Sequence, residues 1–320
     1  MRGEEDKVYQ LKKALYSLKQ APRAWYSRIN DHLLSLGFER SLSETTLYVK
    51  HKGNDILIVP LYVDDLIVTG NNRNLVDKFK KEMMQEFEMT DLGLMTYFLS
   101  MEVQQNQHEI FICQKKYAKE ILKKFQMDDY KTMSTSMNPK EKLCKKDGTH
   151  QVDEAHFRSV IGCLMYLIAT KLDIQFPVSV LSRFMHCATE IHLNAARRIL
   201  RYIKGTVDFG VKFESCQSFK LCGFSDSDWG GDVDDMRSTS GYCFSFGLGV
   251  FTWCSKKQDF VTQSTTEAEF VAAAASVNQA LWLRKILSDL QIKQDELTDV
   301  FVDNQAAILN LKKSCFSWKN

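Results

Sequence analysis

Short apolar runs alternate with polar stretches through the first third of the chain. "DILIVPLYV" and "LIVTG" carry the aliphatic and β-branched residues of strands, and between them stand two adjacent aspartates, Asp64 and Asp65. "LVDKFKKEMMQEFEM" then shifts to the period of an amphipathic helix, and Tyr117, Ile121, Leu122 and Phe125 form the apolar stripe of another. Beyond the polar stretch "KTMSTSMNPKEKLCKKDGTHQ", Leu193, Ala196, Ile199, Leu200 and Ile203 recur at helical spacing up to the stop signal "KGT". From Val207 the pattern is strand-rich: "VKFES", "FKLCGFSDSDW", "STSGYCFSFG" and "GVFTWCSKKQ" predict an antiparallel meander. A long helix follows, with Phe270, Ala274, Val277 and Leu281 on one face, then a short strand "DVFVD" feeding the helix "NQAAILNLKK". The pattern predicts a mixed α/β chain in three parts, 1–140, a helical connection 141–206, and a compact mixed sheet 207–320.

With 320 residues, 44% hydrophobic and 26% charged, the chain has room for two ordinary domains and the composition of a folded protein. Ile56 to Val63 is among its longest apolar runs and is far short of the roughly 18 residues of a membrane span. The N-terminal "MRGEEDKVYQ" lacks the apolar centre of a signal peptide, so a soluble intracellular protein with no membrane partner is expected. Nine cysteines with no CxxC pair suggest buried thiols rather than a zinc site or a disulfide framework. The net charge of +2 decides little, but its distribution matters. No acid stands between Asp6 and Asp31, where Lys12, Lys13, Lys19, Arg23 and Arg28 alternate with Tyr16, Trp25 and Tyr26, a mixture suited to phosphates and stacked bases. Lys115 to Lys146 is a second basic stretch, equally readable as a solvated helix face.

If the residues around Asp64 and Asp65 form a tight hairpin, both acids stand at its tip, and a sheet behind them makes their repulsion severe unless a cation intervenes. Magnesium, or manganese, held by one or two carboxylates, water and substrate phosphates, is the natural partner. A bare Asp-Asp pair is also an ordinary turn.

The surroundings decide between these readings. "YVDD" between apolar strands, "VYQLKKALYSLKQAPRAWYSRINDHLLSLGF", "LYVDDLIVTGNN", "DLGLMTYFLSMEV", "IGCLMYLIATKLDI" and "RILRYIKGT" follow one another in an order that resembles the Pol polyprotein of copia-type retrotransposons over nearly the whole chain. The resemblance implies a partial reverse-transcriptase palm and thumb followed by a ribonuclease H-like mixed sheet with flanking helices. It implies that Asp64 and Asp65 bind metal in an RNA-directed DNA polymerase whose partners are an RNA template and a DNA primer. The segment containing Lys12, Lys13, Lys19, Gln20 and Arg23 would line the nucleotide and template side. "DLGLMTYFLSMEV" would stand near the primer terminus, and the lysines of 115–146 would belong to the thumb and its connection.

Further acids lie in "FSDSDWGGD" (Asp226, Asp228), "STTEAEF" (Glu267, Glu269) and "VFVDNQAA" (Asp303), at a strand, a helix start and a strand end. By resemblance to the copia-type ribonuclease H domain, Asp226, Glu267 and Asp303 are expected to hold two divalent ions for cleaving the RNA strand of an RNA–DNA hybrid, with Asp228 able to stand in for Asp226. Each has a plainer role available: Glu267 pairs with Ser264 in a capping box, Thr266 and Glu269 offer a second one, and Asp303 suits an N-cap.

The chain departs from the family in places. The third polymerase aspartate belongs to a strand upstream of "KKALY" and the last ribonuclease H position to a stretch beyond "SCFSWKN", so polymerase activity is expected to be lost unless another chain supplies the strand. "TKLDI" and "CATEIH" replace Pro-containing family motifs, and Lys171 stands where the family carries a forked guanidinium. A non-catalytic nucleic-acid-binding remnant or pseudogene product is the competing expectation. The family points to a virus-like particle in the cytoplasm, or to the nucleus. His32 and His192 are expected to be helix-surface or packing residues, and Met83 and Met84 helix filler.

Overall fold

The computed structural model describes residues 18–138, 141–215, 220–292 and 294–316. The chain divides into two compact units, Met1–Leu92 with Trp282–Lys293, and Gly93–Leu281 with Gln294–Asn320.

In the first unit, α1 (Ala21–Ser35) begins with Pro22 in its first turn, where a missing N–H is harmless. Short β1 (Glu39–Arg40), β2 (Leu47–Lys52), β3 (Asp55–Tyr62), β4 (Asp65–Leu66) and β5 (Thr69–Gly70) form one antiparallel sheet in the order β1-β2-β3-β4, with β5 also on β3. α2 (Arg73–Glu86) is capped by Asn72, whose side chain accepts from the Asn74 N–H. Alternation along β3 buries Leu57, Val59 and Leu61 against Ile29 and Leu33 of α1 and Phe79 and Met83 of α2. Met83 is thus core, whereas Met84 is exposed.

In the second unit, β6 (Tyr97–Phe98), β7 (Met101–Gln105), β8 (Glu109–Cys113) and β9 (Gly210–Glu214) make an antiparallel sheet in chain order. The helices α3 (Lys115–Lys124), α4 (Glu154–Leu167), α5 (Gln175–Ser182) and α6 (Glu190–Gly205) share one core that includes Ile121, Phe157, Leu164, Leu181, Ile199 and Ile203. The periodicity ending at "KGT" is therefore the buried face of α6. Because Ala118 and Leu143 belong to the same core, residue 140 does not separate two hydrophobic interiors.

Residues 207–215 also part from expectation. Instead of opening the final meander, β9 pairs with β8, Ile110 opposite Phe213 and Ile112 opposite Val211. Gly210 makes this possible, since a Cβ there would stand 2.3 Å from the Ile112 carbonyl oxygen. The remaining meander is as read: β10 (Leu221–Asp228), β11 (Thr239–Phe246) and β12 (Gly249–Lys257) are antiparallel neighbours. The long helix α7 (Thr265–Asp289) then leads to β13 (Asp299–Val302), which pairs parallel with β10 in a sheet ordered β12-β11-β10-β13 and is followed by α8 (Gln305–Phe316).

The β6–β7 hairpin turns through Leu99 and Ser100, both at positive φ (48° and 60°), a conformation that favours glycine or asparagine at two-residue loops. The Tyr166 hydroxyl on α4 donates to the Leu99 carbonyl (2.8 Å) and holds the strained turn in place. Ser100→Gly should raise stability by about 0.5–1 kcal/mol, and Ser100→Val should lower it by more than that, both read by thermal or urea denaturation.

Candidate metal centre

In the first unit, Tyr62 pairs with Asp65, so Val63 and Asp64 form a two-residue loop. Val63 takes φ 53°, costly for a β-branched side chain, and its carbonyl is fixed by the Trp25 indole N–H at 2.8 Å. Asp64 and Asp65 do stand at a hairpin tip, but both are exposed, so water rather than the sheet surrounds their charges.

Expectations for the neighbouring basic segment change more. Lys12, Lys13 and Tyr16 lie outside the described residues. Lys19, Gln20 and Arg23 are exposed at the start of α1. Trp25, in contrast, spends its N–H on Val63 and sets its ring edge-on to Phe87, and the Tyr26 hydroxyl donates to the Thr45 carbonyl (2.8 Å). Arg28 pairs with Glu86 at 3.1 Å over the Phe87 ring. These aromatics and Arg28 brace the unit, because their polar atoms already have protein partners.

The second unit holds a tighter constellation. In the parallel pair of β10 and β13, Ser225 stands opposite Val302, so the next residues, Asp226 and Asp303, emerge side by side at the C-terminal ends of adjacent strands. Glu269 reaches them from the second turn of α7, and one carboxylate oxygen from each of the three lies within 4.8 Å of the others. Asp226 and Asp303 are exposed, whereas Glu269 is only 6% exposed. The Ser227 N–H donates to Glu269 Oε1 (3.1 Å), and the other oxygen, Oε2, is buried without a hydrogen-bond partner. Burial first, then the charges of Asp226 and Asp303, push the Glu269 carboxyl up to about 7.

Glu267, expected as the third ligand, stands elsewhere. Its backbone N–H donates to Ser264 Oγ (3.2 Å) and its carboxylate accepts from the Gln263 N–H (2.7 Å), a capping arrangement for α7. Two residues along a helix turn the side chain by about 200°, so only one of the two glutamates can face the sheet. Up to Leu281, the buried line of α7 is Ala268, Glu269, Ala272, Ala273, Ser276 and Ala280, and Glu269 is on it. The stripe read from large apolar residues is the outer one, with Val277 and Leu281 exposed. Small side chains form the inner face because they let the helix come close to the sheet, where the Tyr242 hydroxyl reaches Gln279 at 3.4 Å. A glutamate in register with an alanine line was the available signal.

Geometry also decides between Asp226 and Asp228, and between Asp303 and its neighbour as helix cap. Asp228 is turned away over Gly231, where a Cβ would lie 1.8 Å from its carboxylate. Asn304, rather than Asp303, caps α8 by accepting from the Ala307 N–H (3.0 Å), which leaves the Asp303 carboxylate to the cluster. Three convergent carboxylates, one of which has a buried and unpartnered oxygen, are the hard donor set that magnesium or manganese takes. Among the described residues, no other three His, Cys, Asp or Glu side chains converge in this way, and no helix is long and apolar enough to cross a membrane.

Residues 1–139 match the family of the reverse transcriptase (RNA-dependent DNA polymerase). The chain is 38% identical to the Retrovirus-related Pol polyprotein from transposon RE1 of Arabidopsis thaliana over 94% of its own length and 20% of the relative's. It is 35% identical to the Pol polyprotein from transposon TNT 1-94 of Nicotiana tabacum, over 98% of this chain and 24% of that one. It is 31% identical to the putative transposon Ty5-1 protein YCL074W of Saccharomyces cerevisiae, with 85% of this chain and 89% of the relative covered. The chain therefore spans about a fifth to a quarter of the two plant polyproteins. The part matched, residues 1–139, carries the paired aspartates on its antiparallel sheet and is of the reverse-transcriptase class. The chain as a whole belongs to the copia-type retrotransposon Pol family.

Because the folded Glu269 value of about 7 lies above the ordinary 4.5, its contribution to stability without metal is complete below pH 4.5 and is lost as the pH rises through 7. In chelator, thermal stability should fall across that window, and Glu269→Gln should recover on the order of 1–2 kcal/mol at pH 8 but little at pH 4.5.

Proposed function

We propose that the second unit is a divalent-metal-dependent nuclease that cuts the RNA strand of an RNA–DNA hybrid, and that Asp64 and Asp65 of the first unit belong to a reverse-transcriptase palm. The observation that carries the nuclease reading is the meeting of Asp226, Glu269 and Asp303 at the ends of two parallel strands, with a buried carboxylate oxygen left for a cation.

Asp226, Glu269 and Asp303 would hold magnesium or manganese, which when bound lowers the pKa of a water and draws off charge from a scissile phosphate. The protein's part is placement. Glu269 is fixed from behind by the Ser227 N–H, and exposed Asp226 and Asp303 face the side from which a nucleic-acid backbone can approach. Unfilled, the site is strongly repulsive to phosphate; filled, it is attractive, so substrate binding and metal binding are coupled. Asp226, Glu269 and Asp303 thus replace the expected set with Glu267.

In the first unit, the exposed hairpin tip and the match over residues 1–139 support the palm reading. Lys19, Gln20 and Arg23, exposed at the start of α1, would meet a template backbone from the solvent side, and the segment around Leu99 and Ser100 would belong near a primer end. A non-catalytic nucleic-acid-binding protein is the second reading, favoured by the exposure of Asp64 and Asp65 at the hairpin tip.

Purified full-length protein should cleave the RNA of a labelled hybrid in magnesium or manganese and stop in chelator. Asp226→Asn and Glu269→Gln should each lower the rate about a hundredfold or more, while Glu267→Gln leaves it unchanged. Full activity in Glu269→Gln, or no cleavage by folded wild-type protein, would remove the nuclease reading and leave the binding one.

A further inference from the structure

Gln258 follows β12 directly and is 5% exposed. Its backbone N–H donates to the Ser238 carbonyl at 2.8 Å, which fixes the start of the side chain. The amide Nε2 then donates to the Ala268 carbonyl (3.0 Å) and to Ser240 Oγ (2.9 Å), with Ser227 Oγ at 3.5 Å. The Ala268 carbonyl can only accept, so the amide nitrogen and not the oxygen faces it. Gln258 Oε1 is buried with no hydrogen-bond partner.

The identity of these partners matters. Ala268 immediately precedes Glu269, and Ser227 immediately follows Asp226. Ser227 and Ser240 stand opposite one another across β10 and β11. One buried amide therefore ties the strand that bears Asp226 to the helix that bears Glu269, at the residues next to both carboxylates. A second polar tie between the same segments, the Ser227 N–H to Glu269 Oε1, depends on a ligand atom itself. Metal-free, Asp226 and Glu269 repel each other, and a strand–helix tie independent of their charges resists that repulsion.

We propose that Gln258 is a positioning residue for the metal centre, acting through Ala268 and the Ser227–Ser240 pair to hold Glu269 and Asp226 at cation-binding separation. The inference rests on the nuclease reading above. A neutral amide suits the position because it donates to two fixed acceptors and adds no charge beside the cluster. Supports of this kind, one bond behind the ligands, change metal affinity by about 10–100-fold when removed.

The test is Mn²⁺ binding by full-length protein, followed by electron paramagnetic resonance titration, with thermal unfolding in chelator measured alongside. Gln258→Met, which keeps length and volume but cannot donate, should weaken Mn²⁺ binding about tenfold or more in protein that remains folded, and hybrid cleavage should recover when Mn²⁺ is raised. A purely structural glutamine would lower the unfolding temperature and leave the half-saturating Mn²⁺ of the folded protein unchanged; that result would overturn the proposal. Should Gln258→Met fail to fold, Ser240→Ala decides, because it removes one of the two acceptors that orient the amide. Weaker Mn²⁺ binding in Ser240→Ala supports the role, and unchanged binding rejects it. Wild-type protein that binds no Mn²⁺ would defeat the nuclease reading itself, and with it this inference, whereas wild-type binding with unaltered Gln258 variants defeats the inference alone.

Discussion

Three carboxylates are brought together at one edge of a sheet against their own repulsion, and much of the second unit is arranged around that fact. The parallel register of β10 and β13 places Asp226 beside Asp303. The alanine line of α7 then lets Glu269 approach them at the margin of the core, where desolvation and two neighbouring charges hold its carboxyl near neutrality. Each acid with a competing local role has been relieved of it. Asn304 takes over the cap of α8, and Ser264 with Glu267 serves the start of α7. The neighbouring Asp232 shows the opposite solution to acid burial. It is 6% exposed but is held by Lys257 at 2.6 Å and Arg183 at 3.2 Å, cations within the protein that keep its carboxyl below the ordinary value despite burial. Among the described residues Glu269 has no such cation, and on the reading proposed above that is what leaves it to a ligand.

The two aspartates of the first unit follow a different rule. At a hydrated hairpin tip, like charges a few ångströms apart interact by only about 1 kcal/mol, so no counter-ion is required for folding. What the fold does invest in is the loop itself, with Val63 in the left-handed region and its carbonyl tied down by Trp25. A strained turn held by a specific side chain fixes the direction of Asp64 and Asp65 without burying them. The Leu99–Ser100 turn, held by Tyr166 in the second unit, is built in the same way.

Much of this was legible from the chain. The strands around Asp64 and Asp65, the α6 stripe ending at Gly205, the three-stranded meander and the β13–α8 pair all follow from periodicity and turn residues. Three features were not. The pairing of β9 with β8 joins residues about a hundred positions apart and depends on the backbone approach at Gly210, which local pattern does not encode. Along the part of α7 that carries Glu269 the buried face is lined by alanines and Ser276, which a stripe of large apolar residues does not mark, and the resemblance pointed to Glu267 where the acidic cluster holds Glu269. The aromatics of α1 looked like a stacking surface because composition cannot show that an indole N–H or a tyrosine hydroxyl already has a backbone partner.

The interior departures from family motifs can be judged on the same physical ground. Lys171 is 1% exposed, and desolvation lowers its pKa, yet its ammonium donates to the Thr206 and Phe209 carbonyls at 2.5 and 3.4 Å, just past the C-terminal end of α6. The Thr206 carbonyl also accepts the Phe209 N–H, and the C-terminal end of a helix favours a cation, so a compact ammonium serves there without a forked group. In "CATEIH", Thr189 and His192 form a capping box at the start of α6, and the Thr189 hydroxyl also donates to Asp147, whose carboxyl is held down at about 2 chiefly by that bond. His192 is fully buried and stacks on Phe184 at 4.0 Å, with Nδ1 accepting from the Thr189 N–H, so burial and this acceptor role both keep it neutral. Random drift into a core leaves polar atoms stranded, and among these side chains only His192 Nε2 is without a partner. Both substituted segments are therefore integrated into the packing of α6, and the helix core is one consistent structure in spite of them.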